Sequence, residues 1–169
     1  MAEDRQQGDG GRVLFCRIIT PEKLVYDGEA NLVMARIADG DIGVMVDHAP
    51  LVSSAEVGDV RVREGEELHV FATSDGFFKV AENLVQILVE EAVAAEEIDT
   101  DAAVNQVEEA ERELSEVSED DEDSERKRAE IDRKRRMGEN LLRVAGSYGQ
   151  GYEPFGDLLK SLNAVVTAL

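Results

Sequence analysis

The sequence predicts an α+β protein in two parts: an N-terminal antiparallel β-sandwich, then a C-terminal antiparallel helical hairpin with a short extra helix. Between residues 13 and 89, turn residues recur about every eight to twelve positions without a helical period, which favours a sandwich of about eight to ten strands. After Glu90 the chain turns to alanine and charged residues, with no glycine until Gly138. The predicted ranges are a disordered lead-in at 1–11, the sandwich at 12–91, the hairpin at 92–145, and a linker with an amphipathic tail helix at 146–169.

The composition narrows the class of protein. A net charge of -20 over 169 residues disfavours binding to nucleic acid or to an anionic membrane, because phosphates are repelled at long range. The lone Cys16 favours a reducing compartment. No segment approaches the roughly 20 apolar residues that a membrane span needs, and the polar residues 1–11 do not form a signal peptide. We therefore expect a soluble, cytoplasmic protein without direct membrane insertion.

Short apolar runs separated by turn residues predict the strands of the sandwich. They lie at 12–19, 23–26, 32–37, 40–52, 60–63, 68–72, 78–80 and 84–89, with a turn predicted at 27–29. The range 40–52 is predicted to be strand, tight turn and strand, because Gly40 and Gly43 permit turn conformations and Pro50 holds Ala49 extended. The turn at Asp47-His48 is expected at the surface.

Two charged helices follow. The first is predicted to begin with Thr100 as its N-cap, and its apolar residues fall at alternating spacings of four and three: Ala103, Val107, Ala110, Leu114 and Val117. The second, capped by Ser124, has a thin apolar seam at Ala129, Ile131, Leu141, Leu142 and Ala145. Gly138 inside it is expected to cost about 1 kcal/mol relative to alanine. This helix is therefore predicted to hold its partner weakly.

The last part of the chain has its own pattern. Residues 146–152 are rich in glycine and tyrosine and predict a linker. Residues 157–169 place leucines and valines on one helical face, which predicts a short amphipathic helix that docks on another surface. Two interpretations stay open: the tail clamps the hairpin, or it contacts a neighbouring subunit.

Several motifs together resemble a known family. They are Thr20-Pro21-Glu22, Gly40-Asp41-Ile42-Gly43-Val44, His48-Ala49-Pro50-Leu51-Val52, Ser74-Asp75-Gly76-Phe77 and Asn83-Leu84-Val85. With the acidic-to-basic helices, the sequence resembles the epsilon subunit of bacterial rotary ATP synthases (delta in mitochondria) over about residues 13–145. The tail beyond Ala145 is an unusual extension of that pattern.

The resemblance implies a non-catalytic central-stalk (rotor) subunit of the proton-translocating ATP synthase, peripheral on the cytoplasmic face of the bacterial plasma membrane. Its implied partners are the gamma subunit, the membrane rotor ring and the catalytic beta and alpha subunits. Contacts with the ring and gamma are implied for Asp41, Val46, Asp47 and His48. An inhibitory role, in which the second helix extends and blocks ATP hydrolysis, is implied for Arg126, Lys127, Arg128, Arg133, Lys134, Arg135 and Arg136.

Nucleotide binding is not predicted. Some members of the family bind ATP through Ile-Asp followed three residues later by arginine; Ile98 and Asp99 are present here, but Ala102 occupies the arginine position. No cofactor is therefore expected. Phosphate-loop and nucleophile-elbow motifs are absent from the sequence, so catalysis finds no support. Two histidines and one cysteine are too dispersed to predict a metal site.

Simpler interpretations remain beside these. Asp41 and His48 can cap local backbone groups as ordinary turn residues. The basic run can be a solvated helix face paired with the acids of its own hairpin. The alternative function is a free-standing β-sandwich module that binds a basic partner and dimerises through a coiled-coil arm. The thin seam of the second helix disfavours that alternative, because a coiled coil needs apolar a and d positions over three or four heptads.

Overall fold

The computed structural model describes residues 11–119 and 122–149 and places ten strands before two α-helices. The strands are β1 (Leu14–Ile19), β2 (Leu24–Ala30), β3 (Leu32–Ile37), β4 (Gly40–Val44), β5 (Leu51–Ala55), β6 (Gly58–Glu64), β7 (Glu67–Thr73), β8 (Gly76–Ala81), β9 (Leu84–Val89) and β10 (Ala92–Ala94). One turn of 3-10 helix, Ala95–Glu97, precedes α1 (Thr100–Glu116) and α2 (Ser124–Tyr148). The predicted fold class is confirmed for the sandwich and these two helices. The predicted tail helix and nearly all of the lead-in lie outside the described residues.

The strands are hydrogen-bonded in the order β10-β7-β6-β3-β5-β8-β9-β1-β2, and β4 also pairs with β3. One pair departs from the predicted antiparallel arrangement, because β1 runs parallel to β9 from Phe15 opposite Leu84 to Ile19 opposite Leu88. These two strands are far apart in the chain and are not joined by a hairpin, so no short connection forces them to be antiparallel.

Alternation along the strands builds the core of the sandwich. Leu14, Cys16 and Ile18 on β1 are buried, as are Val85 and Ile87 on β9. Cys16 fills apolar space in this core, and burial raises the pKa of its thiol to about 12. This cysteine is therefore an inert packing residue.

The turn predicted at 27–29 is wrong. Those residues belong to β2, where Asp27 lies opposite Arg17 and Gly28 opposite Cys16. The Arg17 Nε donates to Asp27 Oδ1 at 2.9 Å. Pairing with β1 carries the strand through a sequence that, read alone, is typical of a turn.

The two helices form an antiparallel hairpin. Contacts run in opposite directions along the two helices: the Gln106 amide donates to the Lys134 carbonyl at 2.9 Å, while Arg128, earlier in α2, donates to the carbonyl of Val117, just past the end of α1, at 3.1 Å. The chain divides into two compact units, one of residues up to His69 with 73–92, the other of Val70–Ala72 with the residues from Val93 onward.

The helix ends differ from the predictions by a few residues. The N-cap of α1 is Asp99, one residue before Thr100, and its Oδ1 accepts from the Ala102 N–H at 3.0 Å. Ser124 is the first residue of α2 and not its cap. Helix α2 also continues to Tyr148, so residues 146–148, predicted to be linker, are helical. Within the described residues, neither helix is apolar enough to cross a membrane.

Candidate functional site

The segment 40–52 forms the predicted strand, turn and strand. Gly40 opens β4 with φ +116°, a conformation that residues with a Cβ rarely adopt, and Asp47 in the turn has φ +61°. The His48 N–H donates to the Met45 carbonyl at 3.2 Å and closes the turn before β5. Asp41 therefore lies on a strand, whereas Val46, Asp47 and His48 lie together in the turn that follows it.

Asp41 carries a two-point ion pair on the surface of β4. Arg36, its neighbour on β3, donates from Nε to Oδ1 at 2.9 Å and from Nη2 to Oδ2 at 3.3 Å. Both side chains are more than half exposed. The hydrogen bonds from Arg36, and then its charge, lower the pKa of Asp41. Asp41 is thus presented to solvent as a carboxylate held in one orientation.

The turn is fixed by Asn83, which lies between β8 and β9. Its Oδ1 accepts from the Asp47 N–H at 2.7 Å, and its Nδ2 donates to Asp47 Oδ1 at 3.3 Å. Arg12 adds an ion pair at 2.9 Å. The hydrogen bonds from Arg12 and Asn83 lower the pKa of Asp47. The sequence did not point to Asn83 as a partner of this turn, because the two residues are 36 positions apart.

His48 and Val46 present different chemistry. His48 Nδ1 lies 2.6 Å from the Ala49 carbonyl, so a hydrogen bond there requires the proton on Nδ1. Val46 and its neighbour Met45 are exposed. The turn therefore displays an oriented imidazole beside two apolar side chains, and its local bonds fit both the turn interpretation and the contact interpretation made from the sequence.

An exposed apolar row crosses the outer face of the sandwich. Phe77 on β8 lies opposite Leu88 on β9, and Leu88 lies opposite Ile19 on β1. Phe77 is 67% exposed and Leu88 44%. We call these three residues the apolar row. This row was not predicted from the sequence. The sequence does contain one indication of it: Phe77 is a large apolar residue at the solvent-facing position of a two-faced strand, next to the buried Phe78.

Several cations of α2 bond to groups within the helical hairpin. Arg128 donates to the Val117 carbonyl, while Arg135 contacts Asp132 at 2.6 Å and Arg136 contacts the same carboxylate at 3.2 Å. The hydrogen bond from Arg135 lowers the pKa of Asp132. Asp132 and Arg136 are four positions apart, a spacing that places them on the same face of the helix. Exposure does not separate the cations with these bonds from the others, since Arg136 is exposed and so are Arg126, Lys127, Arg133, Lys134 and Arg143.

Gly138 has the opposite role to the one predicted. A Cβ on Gly138 would stand 2.7 Å from Val107 Cγ2 and 3.3 Å from the Ala103 carbonyl oxygen, so the missing side chain is what allows α1 and α2 to approach. The buried seam of α2 is also fuller than predicted, whereas Ala129 is exposed. It consists of Ile131, Met137, Gly138, Asn140, Leu141 and Val144. Helices α1 and α2 are therefore closely packed where Gly138 faces Ala103 and Val107.

Ile98 and Asp99 precede α1, and the Asp99 carboxylate is used as a helix cap. Its Oδ1 accepts from the backbone of Ala102, the residue that occupies the arginine position of the nucleotide-binding pattern. The capping bond gives Asp99 a structural role.

Comparison with known proteins identifies the family. The β-sandwich domain of the ATP synthase delta/epsilon chain matches residues 13–95. The ATP synthase epsilon chain of Rubrobacter xylanophilus is 64% identical over 142 residues, which cover 83% of this chain and 97% of that protein. The epsilon chain of Halalkalibacterium halodurans is 35% identical over 133 residues, 79% of this chain and 97% of that one.

A solved structure agrees in fold. A chain of the Euglena gracilis mitochondrial ATP synthase superposes with a TM-score of 0.64 at 21% identity, covering 85% of this chain and 88% of that chain. At this identity the likeness speaks for the arrangement of strands and helices alone. Because the matched relatives are covered nearly end to end, the chain belongs to the family of ATP synthase epsilon chains.

Proposed function

We propose that this chain is a non-catalytic central-stalk subunit of a proton-translocating ATP synthase, held at the cytoplasmic face of the bacterial plasma membrane by the other subunits. It couples the catalytic head to the membrane rotor ring, and its C-terminal helices restrain ATP hydrolysis. The observation that carries the proposal is the 64% identity to an ATP synthase epsilon chain over 97% of that protein. The experiment that tests it is reconstitution with the gamma subunit and the catalytic subunits.

The sandwich offers two surfaces of different character for permanent docking. The apolar row exposes an aromatic and aliphatic surface. Its burial against another subunit lowers the free energy of the complex, which suits the gamma subunit. The segment 40–52 presents the oriented Asp41 carboxylate and the turn at 46–48, which suits the polar loops of the rotor ring. We assign gamma to the first surface and the ring to the second.

Replacing Phe77 by serine is expected to weaken binding to the gamma subunit about tenfold or more, because large apolar side chains at the centre of an interface contribute most of its affinity. Binding is measured by titration of the purified gamma subunit and checked by co-elution in size exclusion. Val104→Ser is the matched control, since Val104 is an exposed valine on α1. Unchanged affinity of F77S would remove the apolar row from the gamma interface.

The same co-elution distinguishes the alternative function. A free-standing module that binds a basic partner would fail to elute with gamma, whereas a stalk subunit elutes with it. The close packing at Gly138 supports an intramolecular hairpin, because the buried seam of α2 already meets α1 of the same chain.

The inhibitory role rests on the charge of α2. Arg126, Lys127, Arg133 and Lys134 have exposed side chains, and several cations on one helix give attraction and orientation toward a carboxylate cluster. Arg135 and Arg136 bind Asp132 of their own helix, so these charges are partly neutralised in the hairpin. We propose that α2 exchanges its contacts with α1 for acidic segments of the catalytic subunits.

Replacing the four cations at 133–136 by glutamine is expected to weaken inhibition of ATP hydrolysis, and to do so more at low salt than at high salt, because salt screens exposed charges. The measurement is ATP hydrolysis by the reconstituted complex across a range of ionic strength. Arg112→Gln is the control, since Arg112 is exposed on α1. If the loss of inhibition is the same at every ionic strength, charge is not the mechanism.

A further inference from the structure

The hairpin of β6 and β7 brings three side chains with metal-binding atoms to one face. Glu64 ends β6 and Glu67 begins β7, with a two-residue turn between them in which Gly65 has φ +61°. His69 lies two positions beyond Glu67, and side chains two apart on a strand share a face. The local geometry of one hairpin therefore gathers the three groups.

Their separations suit a shared ion. His69 Nε2 lies 3.6 Å from Glu64 Oε2 and 3.6 Å from Glu67 Oε2, and the three ligand atoms all lie within 4.8 Å of one another. These N···O separations are too long for hydrogen bonds. His69 Nε2 is shielded from solvent and has no hydrogen-bond partner among the described residues. Buried polar atoms are ordinarily paired, so an unpaired nitrogen here is unusual. A bound metal ion would supply the missing partner.

The surroundings favour a cation. Within the described part of the chain, neither Glu64 nor Glu67 forms an ion pair with lysine or arginine, and the whole chain carries a net charge of -20. The Tyr26 ring contacts the His69 ring at a centroid distance of 5.4 Å and helps to orient it.

We propose that Glu64, Glu67 and His69 form a binding site for Zn²⁺, with water completing the coordination. Zinc bonds to imidazole nitrogen and carboxylate oxygen are about 2.0–2.2 Å long, which separates the ligand atoms of a tetrahedral ion by roughly 3.3–3.6 Å. The two N···O distances of 3.6 Å lie at the upper end of that spacing, and the two glutamate oxygens lie within 4.8 Å of each other.

The ligand set selects the metal class. One imidazole with two carboxylates suits a first-row transition ion, whereas Mg²⁺ and Ca²⁺ prefer oxygen ligands alone. The Glu64 and Glu67 side chains are 50% and 76% exposed and His69 is one-third exposed, so the site lies at the surface of the sandwich. The bound ion would tie the end of β6 to the start of β7. The proposal stands on this hairpin and is independent of the proposed role in ATP synthase.

The test is calorimetric titration of the full, chelator-treated chain with zinc chloride at near-neutral pH, in millimolar Mg²⁺ to occupy the acidic surface. One saturable site is expected. His69→Gln and Glu67→Gln are each expected to weaken it about tenfold or more. Glu67 is 76% exposed, so E67Q leaves the fold intact. His48→Gln, which removes the other histidine, is the control with unchanged affinity.

Co²⁺ gives a second readout that does not depend on heat. Visible absorption from bound cobalt is expected in the unmodified chain and in H48Q, and it is expected to be absent in H69Q. Several weak sites that H69Q leaves unchanged would overturn the proposal in favour of diffuse attraction to the acidic surface. The absence of saturable binding would overturn it too, and would leave the three residues without a metal-binding role.

Discussion

Gly138→Val is expected to lower the thermal midpoint of the helical hairpin by roughly 5–15 °C. The added side chain would overlap Val107 Cγ2, a methyl of a β-branched side chain whose χ1 rotation is restricted in a helix, and would press on the Ala103 carbonyl. Overpacking of this kind costs about 1–3 kcal/mol. The gain in helix propensity over glycine is only a few tenths of a kcal/mol, so the steric term decides the sign. The measurement is helical circular dichroism of the full chain during heating.

Two further variants make that prediction specific. Gly146 lies in the same helix, but a Cβ there would meet nothing within 4 Å, so Gly146→Ala is expected to leave stability unchanged or to raise it slightly. Val107→Ala removes the methyl that opposes Gly138. The double variant V107A/G138V is therefore expected to be more stable than the sum of its single effects implies. Strict additivity would show that Val107 is not the obstacle.

Gly138 also shows that a contact between two helices cannot be predicted from the local sequence of one of them. In a single helix a glycine is a defect, and its cost can be read from propensity alone. Its benefit depends on the residue that faces it from another helix, and that residue is 31 positions earlier in the chain. The same limit explains the thin seam that the sequence predicted: spacing identified Ile131 and Leu141 but not Met137 and Val144 between and beyond them.

The strands were easier to predict because alternation and turn residues are local signals. The arrangement at 40–52 followed from glycine and proline chemistry, whereas the parallel pair of β1 and β9 depends on which distant strands meet. The apolar row required the register of three strands before it became visible. The group Glu64, Glu67 and His69 could not be predicted from histidine and cysteine spacing, because two of its three ligands are glutamates, which also bind zinc, and the hairpin brings them together.

Removal of residues 100–169 is expected to raise ATP hydrolysis by the reconstituted complex about twofold or more, while binding to the gamma subunit persists. This prediction rests on the proposed function. If α2, bound to the catalytic subunits, holds half or more of the complexes inactive, removal of the helices at least doubles the active fraction. The apolar row and the segment 40–52 lie in the unit that contains β8, β9 and β1, and they are retained in this variant. Hydrolysis and gamma binding are measured on the same preparation.

Gly138→Val is expected to act in the opposite direction and to strengthen inhibition. Packing of α2 against α1 is proposed to compete with binding of α2 to the catalytic subunits. Weakening the packing by about 1–3 kcal/mol would therefore favour the bound state of α2 about 5- to 150-fold. Hydrolysis should therefore fall with G138V and rise with the truncated chain, with G146A unchanged. A rise in hydrolysis with G138V would mean that the packed hairpin is itself the inhibitory form. Equal hydrolysis in all three variants would instead exclude the helices from control of the enzyme.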